Sequence, residues 1–212
     1  LDCVQDHSVG GQCTLTLKAE VTSPKGGETV LEFCCGKKTR KVKANLKAGK
    51  NTVSETFVIK NPKLWWPKGY GEQPLYTLKI TCGNEVLQHT IGIRTAKILQ
   101  IADKPGTESY ELCRKLQATD SGKEWDFNEN YSCFTPVING KRIFCKGAAW
   151  APCEPFVSEV KNEKITKILE LSVQMGLNMI RVWGGGMFES AHFYSECDRL
   201  GILVTQDFLM AC

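Results

Sequence analysis

The chain has 212 residues, of which 42% are hydrophobic and 24% are charged, and its formal net charge is +4. This composition is typical of globular proteins and excludes a disordered or fibrous chain, while so small a charge gives no support to a nucleic-acid partner. No apolar run approaches the roughly 18 residues of a membrane span, so we expect no membrane partner.

The two ends of the chain and its cysteines bear on its context. The first residues (LDCVQD) lack a basic start followed by an apolar stretch, so no signal peptide is visible and we predict a cytoplasmic location. Because the chain begins without methionine and stops directly after an apolar run, we expect it to be a piece of a longer protein whose true N-terminus is missing. Eleven cysteines, none in a C-x-x-C motif, and three scattered histidines predict free buried thiols, no metal site and no cofactor.

The first hundred residues are patterned as short strands. Apolar and polar residues alternate over residues 13–22, and five further strands are predicted at 29–35, 39–46, 51–59, 75–82 and 85–92. Breakers such as SPKGG and KAGK separate them, and no helix is predicted before residue 100. The spacing predicts an antiparallel, all-β, immunoglobulin-like sandwich over residues 1–101. These residues carry 15 Lys and Arg against 8 Asp and Glu, whereas the rest of the chain carries 12 against 15, which favours two separate units.

The pattern changes after a polar segment. Residues 102–133 are predicted to be a linker or insertion with one helical turn near residues 111–116. Asn139-Gly140 then predicts a tight hairpin between strands at 134–138 and 142–146, the second of which runs on into an apolar strand at 143–147.

The last third alternates between strands and helices. A helix is predicted to start at an Asn162 cap and to stop at Gly176, and a second to start at a Ser190 cap and to stop at Gly201. Strands at 179–183 and 202–205 complete a β-α-β-α-β pattern, which predicts parallel pairing. Three parallel strands leave a sheet edge and apolar faces uncovered, so we expect either self-association or a partly disordered C-terminal half.

Ligands of α/β folds bind at the carboxyl ends of the strands, where this chain places four candidate residues. Arg181, within an apolar strand, is expected to be buried and either to pair structurally or to orient a carboxylate. Trp183 either packs in the core or forms a flat wall for a sugar ring, and Asp207 either caps a loop or lines a pocket. Trp150 is a weaker candidate for the same pocket.

Other motifs admit two interpretations as well. The glycines at 184–186 lack the spacing of a nucleotide-binding loop and predict a sharp backbone turn beside a ligand or a neighbouring loop. Trp65 and Trp66 either fill the edge of the sandwich core or form a sugar-stacking platform, which would make the chain a non-catalytic carbohydrate-binding or scaffold module.

Several long motifs resemble glycoside hydrolase family two. NPKLWWPKGYGEQPLY (residues 61–76) and GIRT (92–95) are similar to its second sandwich domain, and NGKRIFCKG (139–147) resembles the hairpin that opens its catalytic barrel. NMIR (178–181) followed by FYSECDRLGILV (193–204) resembles the first family signature, and RVWGGG with QDF points to the β-mannosidase-like branch. Ala149 and Thr205 depart from the branch, which often has asparagine and tryptophan there.

The resemblance implies a multi-domain protein: the sandwich, the linker, and over residues 134–212 the N-terminal part, about three strands, of a TIM (β/α)8 barrel. It implies a retaining exo-β-glycosidase, most similar to β-mannosidases, that acts on an oligosaccharide or glycoside with two glutamates. In the family these glutamates follow later strands, so no catalytic residue is expected in this chain and the chain alone is expected to be inactive. The resemblance implies that Arg181 orients the nucleophilic carboxylate. It also implies that Trp183 and Asp207 line the sugar pocket, with Trp150 as a weaker candidate. A β-galactosidase or an exo-glucosaminidase is the alternative.

Overall fold

The computed structural model describes residues 1–119 and 132–210. In chain order its elements are β1 (Asp2–Asp6), β2 (Gln12–Ser23), β3 (Gly27–Cys35), β4 (Lys38–Leu46), β5 (Gly49–Lys60), β6 (Leu75–Cys82), β7 (Glu85–Gly92), β8 (Ala96–Ala102), α1 (Glu108–Gln117), β9 (Ser132–Ile138), β10 (Lys141–Arg142), β11 (Gly147–Trp150), α2 (Asn162–Gln174), β12 (Met179–Val182), α3 (Ala191–Leu200) and β13 (Leu203–Gln206). No helix within the described part of the chain is long and apolar enough to cross a membrane.

The first seven strands form a sandwich of two antiparallel sheets. One sheet has the order β1-β2-β5 and the other the order β4-β3-β6-β7. Alternate residues of both sheets are buried in one cluster, including Leu15, Leu31, Phe33, Phe57 and Leu78, which are all fully buried. The alternation that predicted the strands is therefore the alternation that fills the core. The six predicted strands lie within two residues of their predicted bounds, whereas β1 was missed because DCVQD has only two apolar residues.

Residues 95–145 form a second compact unit. Its antiparallel sheet has the order β10-β9-β8, and β8 was missed because most of its side chains are exposed. The hairpin at Asn139-Gly140 is confirmed, since both residues adopt the positive φ that this turn requires, 50° and 80°. The predicted helical turn is the longer helix α1, and residues 120–131 of the predicted linker lie outside the described residues.

The second arm of that hairpin is shorter than predicted. It ends at β10, and the parallel strand is β11, which starts only at Gly147. The apolar residues at 143–145 suggested an earlier start, but Phe144 is mostly exposed and only from Gly147 onward does the chain pair with β12. Gly147 fits there because a Cβ atom would lie 2.6 Å from the carbonyl oxygen of Met179.

Residues 1–94 and the described residues from 146 onward belong to one compact unit, in which β11, β12 and β13 form a parallel sheet. Helices α2 and α3 connect these strands and bury Ile165, Leu169 and Phe193 against the sheet. Ser190 caps α3 as predicted, by accepting a hydrogen bond from the backbone N–H of Phe193. The predicted Asn162 cap is wrong, because α2 starts after Lys161 with no side-chain cap.

The tryptophan-rich segment after β5 contacts the C-terminal end of α3. The indole Nε1 of Trp65 donates to the backbone carbonyl of Asp198 over 2.7 Å. The backbone N–H of Lys68 donates to the backbone carbonyl of Gly201 over 2.8 Å. The last carbonyls of a helix have no partner within it, so these two donors act as a cap supplied from the sandwich. Gly201, with φ of 79°, allows the approach, since a Cβ there would lie 2.7 Å from the Lys68 nitrogen.

Candidate functional site

The parallel sheet has one face covered by helices and one face without them. Ile180 and Val182 of β12 point into the core beneath α2 and α3, so the alternation of a strand places Arg181 on the opposite face. In the register Arg181 lies between Ala149 of β11 and Thr205 of β13. The two departures from the family pattern are therefore the immediate neighbours of this arginine, and both are small.

Arg181 pairs with Asp207 through two hydrogen bonds. Its Nε donates to one carboxylate oxygen over 3.0 Å and its Nη2 to the other over 2.6 Å. The hydrogen bonds and the charge of Asp207 raise the pKa of Arg181. The expectation of a buried guanidinium is wrong: 61% of the side chain is exposed, because no element among the described residues covers this face. The pair thus joins the carboxyl ends of β12 and β13 and leaves the Nη1 donors for a further acceptor.

The backbone holds Asp207 in place as well. Its N–H donates to the carbonyl of Val182 over 3.1 Å, which continues the parallel ladder one residue beyond β13. Asp207 therefore leaves the sheet at a defined position, and its carboxylate accepts from Arg181.

Trp183 follows β12 and lies on the same face as Arg181. Its backbone N–H donates to the carbonyl of Trp150 over 3.0 Å, so the extended ladder continues past the last residue of β12. The side chain is 38% exposed and does not belong to the core cluster. Of the two interpretations of Trp183, core packing is excluded by this exposure, and an indole surface open to a ligand remains.

Trp150 is separated from the other three candidates. It is 7% exposed, belongs to the core beneath the helices, and packs at 5.0 Å from the ring of Phe193. Its Nε1 donates to the carboxylate of Glu189 over 2.9 Å. The structure thus brings Arg181, Trp183 and Asp207 to one face and leaves Trp150 on the other, where it supports the loop that follows Trp183.

Two polar residues near this edge were not singled out by their sequence. Glu189 anchors the loop after Trp183 through Trp150, and Gln206 accepts a hydrogen bond from the hydroxyl of Tyr194 over 3.3 Å. Neither the FES segment around Glu189 nor the QDF segment around Gln206 contains a motif that would mark these residues as functional. The available signal was their position, because Glu189 stands directly before the cap of α3 and Gln206 is the last residue of β13.

The first tryptophan of the sandwich pair, Trp65, is not open to a ligand. Trp65 is 1% exposed, with the guanidinium of Arg94 4.4 Å from its ring centre on one side and Gly92 tightly packed against it. Arg94 also approaches a carboxylate oxygen of Asp198 at 3.6 Å, and burial raises the pKa of Asp198. A sugar cannot stack on a ring enclosed in this way, so the interpretation of Trp65 as a binding platform is wrong.

Burial makes several thiols of the described residues harder to ionise. The nine cysteines of the described residues are free, and burial raises the pKa of Cys3 and Cys13 to about 11 and that of Cys197 to about 12. A reactive cysteine needs the opposite shift, so these thiols serve as small apolar groups. Across residues 1–119 and 132–210 no three His, Cys, Asp or Glu side chains are grouped as metal ligands would be.

Residues 4–94 match the sequence family described as glycosyl hydrolases family 2. The whole chain is similar to β-mannosidase B of Emericella nidulans, with 34% identity over 98% of this chain and 22% of that protein. β-Mannosidase B of Aspergillus clavatus is 37% identical over 74% of this chain and 16% of its own length. The chain therefore spans about a fifth of the length of the curated relatives that it matches.

A solved structure of a β-mannosidase is similar to this chain as well. The crystal structure of a β-D-mannosidase from Dictyoglomus thermophilum has a TM-score of 0.79 and 31% identity over all of this chain and 24% of that one. An exo-chitosanase from Amycolatopsis orientalis has a TM-score of 0.69 and 22% identity over 97% of this chain and 22% of that one, which shows a shared fold alone.

Proposed function

The chain belongs to the glycosyl hydrolases of family 2, in their β-mannosidase-like group, and we propose that it is part of a retaining exo-β-glycosidase that removes terminal β-linked mannose. The single observation that carries this proposal is the match along nearly the whole chain to β-mannosidases, 34% identical in sequence and 31% identical in a solved structure. The site geometry adds support, because Arg181 pairs with Asp207 on the face without helices and the exposed Trp183 follows the same strand as Arg181.

We further propose that β11, β12 and β13 are the first three strands of a TIM (β/α)8 barrel. Parallel strands connected by helices on one face are the repeating unit of that fold, and its ligands bind where the strands end. The uncovered face would then point into the barrel, which accounts for an exposed arginine in an otherwise apolar strand. The sequence suggests domain bounds of 1–101 for an immunoglobulin-like sandwich, 102–133 for a linker and 134 onward for the barrel segment. The pairing of β8 with β9 crosses these bounds, so residues 95–145 form a compact unit of their own between the sandwich strands and β11 in the sequence.

The three side chains would have different tasks at the mouth of that barrel. Asp207 would line the pocket and accept hydrogen bonds from sugar hydroxyls, since two hydrogen bonds from Arg181 hold its carboxylate in one orientation. The remaining Nη1 donors of Arg181 would orient the nucleophilic carboxylate. The exposed indole of Trp183 would form the wall against which the non-reducing sugar packs.

The bond-breaking chemistry would come from two glutamates outside residues 1–212. In a retaining glycosidase one glutamic acid protonates the leaving oxygen while a second, roughly 5–5.5 Å away, attacks the anomeric carbon. The residues of this chain would bind and orient the sugar and would not form the glycosyl-enzyme. We also propose a cytoplasmic location, which the free thiols of the described residues support.

A panel of aryl β-glycosides tests this function. The full-length protein that contains this chain should hydrolyse 4-nitrophenyl β-D-mannoside with a higher kcat/KM than the galactoside, glucoside, glucosaminide and glucuronide. Preference for the galactoside or glucosaminide would favour the alternatives within the family. If the folded protein hydrolysed none of these aryl β-glycosides, the proposed glycosidase function would be refuted and a non-catalytic module would remain.

A further inference from the structure

The loop after Trp183 places a glycine directly against its indole. A Cβ atom built on Gly185 would overlap the Cζ2 and Cη2 atoms of Trp183 and lie 2.7 Å from its Cε2 atom. All three atoms belong to the six-membered ring. Real Cβ contacts essentially never come this close, so any side chain at residue 185 must displace the indole or the loop.

The backbone of Gly185 does not itself call for glycine. Gly185 is absent from the glycines with positive φ, and an ordinary φ is open to any residue. Steric access to the indole is thus the reason for a glycine here. This separates Gly185 from glycines such as Gly201, whose left-handed φ of 79° would strain any side chain.

The surroundings limit how the clash could be relieved. The N–H of Gly186 donates to the carbonyl of Trp183 over 3.1 Å, and a Cβ on Gly186 would meet Pro152 at 3.2 Å. Further along, Glu189 is held by the buried Nε1 of Trp150. The loop is therefore attached at both ends, whereas the indole is 38% exposed and has room to move on its open side.

We propose that Gly185 is a positioning residue that sets the orientation of the Trp183 indole and thereby the affinity of the pocket for the terminal sugar. This inference rests on the proposed function, because it takes Trp183 as the wall of the sugar site. A methyl group at residue 185 moves the indole out of the orientation in which it would face the sugar. The expected consequence is a change in KM rather than in kcat, since the reacting groups lie elsewhere.

The test combines Gly185→Ala with Trp183→Phe in the full-length protein labelled with 5-fluorotryptophan. The ¹⁹F resonance of Trp183 is identified as the one lost in W183F. G185A should shift that resonance in the absence of any ligand and raise KM for 4-nitrophenyl β-D-mannoside about two- to tenfold, the range of an aromatic contact, with kcat nearly unchanged. Gly10→Ala is the matched control, because a Cβ there meets nothing within 4 Å and the φ of Gly10 is not positive.

The double variant makes the result specific. The phenyl ring of W183F lacks the fused ring that the new methyl group would meet, so adding G185A to W183F should change KM no further. An unmoved Trp183 resonance in G185A would overturn the inference whatever the kinetics. A shifted resonance with unchanged KM would overturn the inference that Gly185 sets the affinity for the sugar. W183A then tests the proposed sugar site separately. A raised KM in W183A supports Trp183 as the wall of that site, whereas an unchanged KM rejects it. If G185A does not fold, recovery of folding in the double variant supports the same contact, and failure of both overturns it.

Discussion

The indole of Trp65 reaches out of the sandwich to donate a hydrogen bond to the backbone carbonyl of Asp198, 133 residues further along the chain, over 2.7 Å. Two of the longest motifs, WWPKGYGEQP and FYSECDRLGILV, meet at this bond. A motif of the sandwich thus completes the C-terminal end of α3, the helix that leads into β13 and Asp207.

Replacing Trp65 with phenylalanine tests this contact. The variant leaves the Asp198 carbonyl without its donor, and a hydrogen bond of this kind contributes about 1 kcal/mol to the free energy of unfolding. We expect a loss of at least that size in urea unfolding, together with faster hydrogen exchange at the amide of Lys68, which bonds the same helix end. Trp66→Phe, at a half-buried ring, is the control. Equal protection of the Lys68 amide from hydrogen exchange in both variants would contradict the role of Trp65 in capping α3.

Asn178 is expected to be needed for stability rather than for activity. It is fully buried, and its Oδ1 accepts from the N–H of Lys146 over 2.8 Å, next to the start of β11. Asn178→Ala removes the acceptor of this partly buried hydrogen bond, which should cost about 1–3 kcal/mol in the free energy of unfolding. Asn162→Ala, at an exposed residue that caps nothing, should change it by less than about 0.5 kcal/mol. Similar losses for the two variants would disprove the role of Asn178.

The pairing of Arg181 with Asp207 predicts a kinetic effect. Asp207→Asn removes the charge that holds the guanidinium, and Arg181→Lys keeps a charge but cannot make both hydrogen bonds. Misplacing a binding group costs about 100-fold in many enzymes, so we expect kcat/KM for the aryl mannoside to fall by that order in both variants. In residues 1–212 thermal unfolding should be close to that of the unsubstituted chain, because 61% of the Arg181 side chain is exposed there. An unchanged kcat/KM would remove both residues from the site.

The buried thiols predict a loss of stability at alkaline pH. Burial raises the pKa of Cys13 from its usual 9.0 to about 11, so the unfolded chain ionises first. Stability from this group is complete below pH 9 and is lost as pH rises toward 11, by up to about 1 kcal/mol at pH 10. Urea unfolding at pH 7 and pH 10 should show a smaller difference for Cys13→Ala than for the parent protein. If the free energy of unfolding fell by the same amount between pH 7 and pH 10 in both proteins, the pKa of the Cys13 thiol would be the same in the folded and unfolded chain.

Residues 1–212 by themselves are predicted to be inactive. The proposed glutamates lie outside them, and the open face of β11, β12 and β13 would be uncovered. Purified residues 1–212 should release no 4-nitrophenol from the β-mannoside and should show self-association in light scattering. Reproducible turnover would place a catalytic group within this chain, and a clean monomer with the parallel sheet protected from exchange would contradict the predicted association.

The sequence by itself determined six of the seven strands of the sandwich, the hairpin at Asn139-Gly140, the cap at Ser190 and the parallel pairing of the last three strands, because period-two burial, turn chemistry and capping act over a few residues. Only the tertiary structure decided that Trp65 is enclosed, that Arg181 is exposed and paired with Asp207, and that Trp150 lies opposite Trp183. These facts depend on which face each neighbour covers and on contacts between residues far apart in the chain. An arginine inside an apolar strand suggests burial when it is considered alone, and its exposure follows only from the face of the sheet to which it belongs.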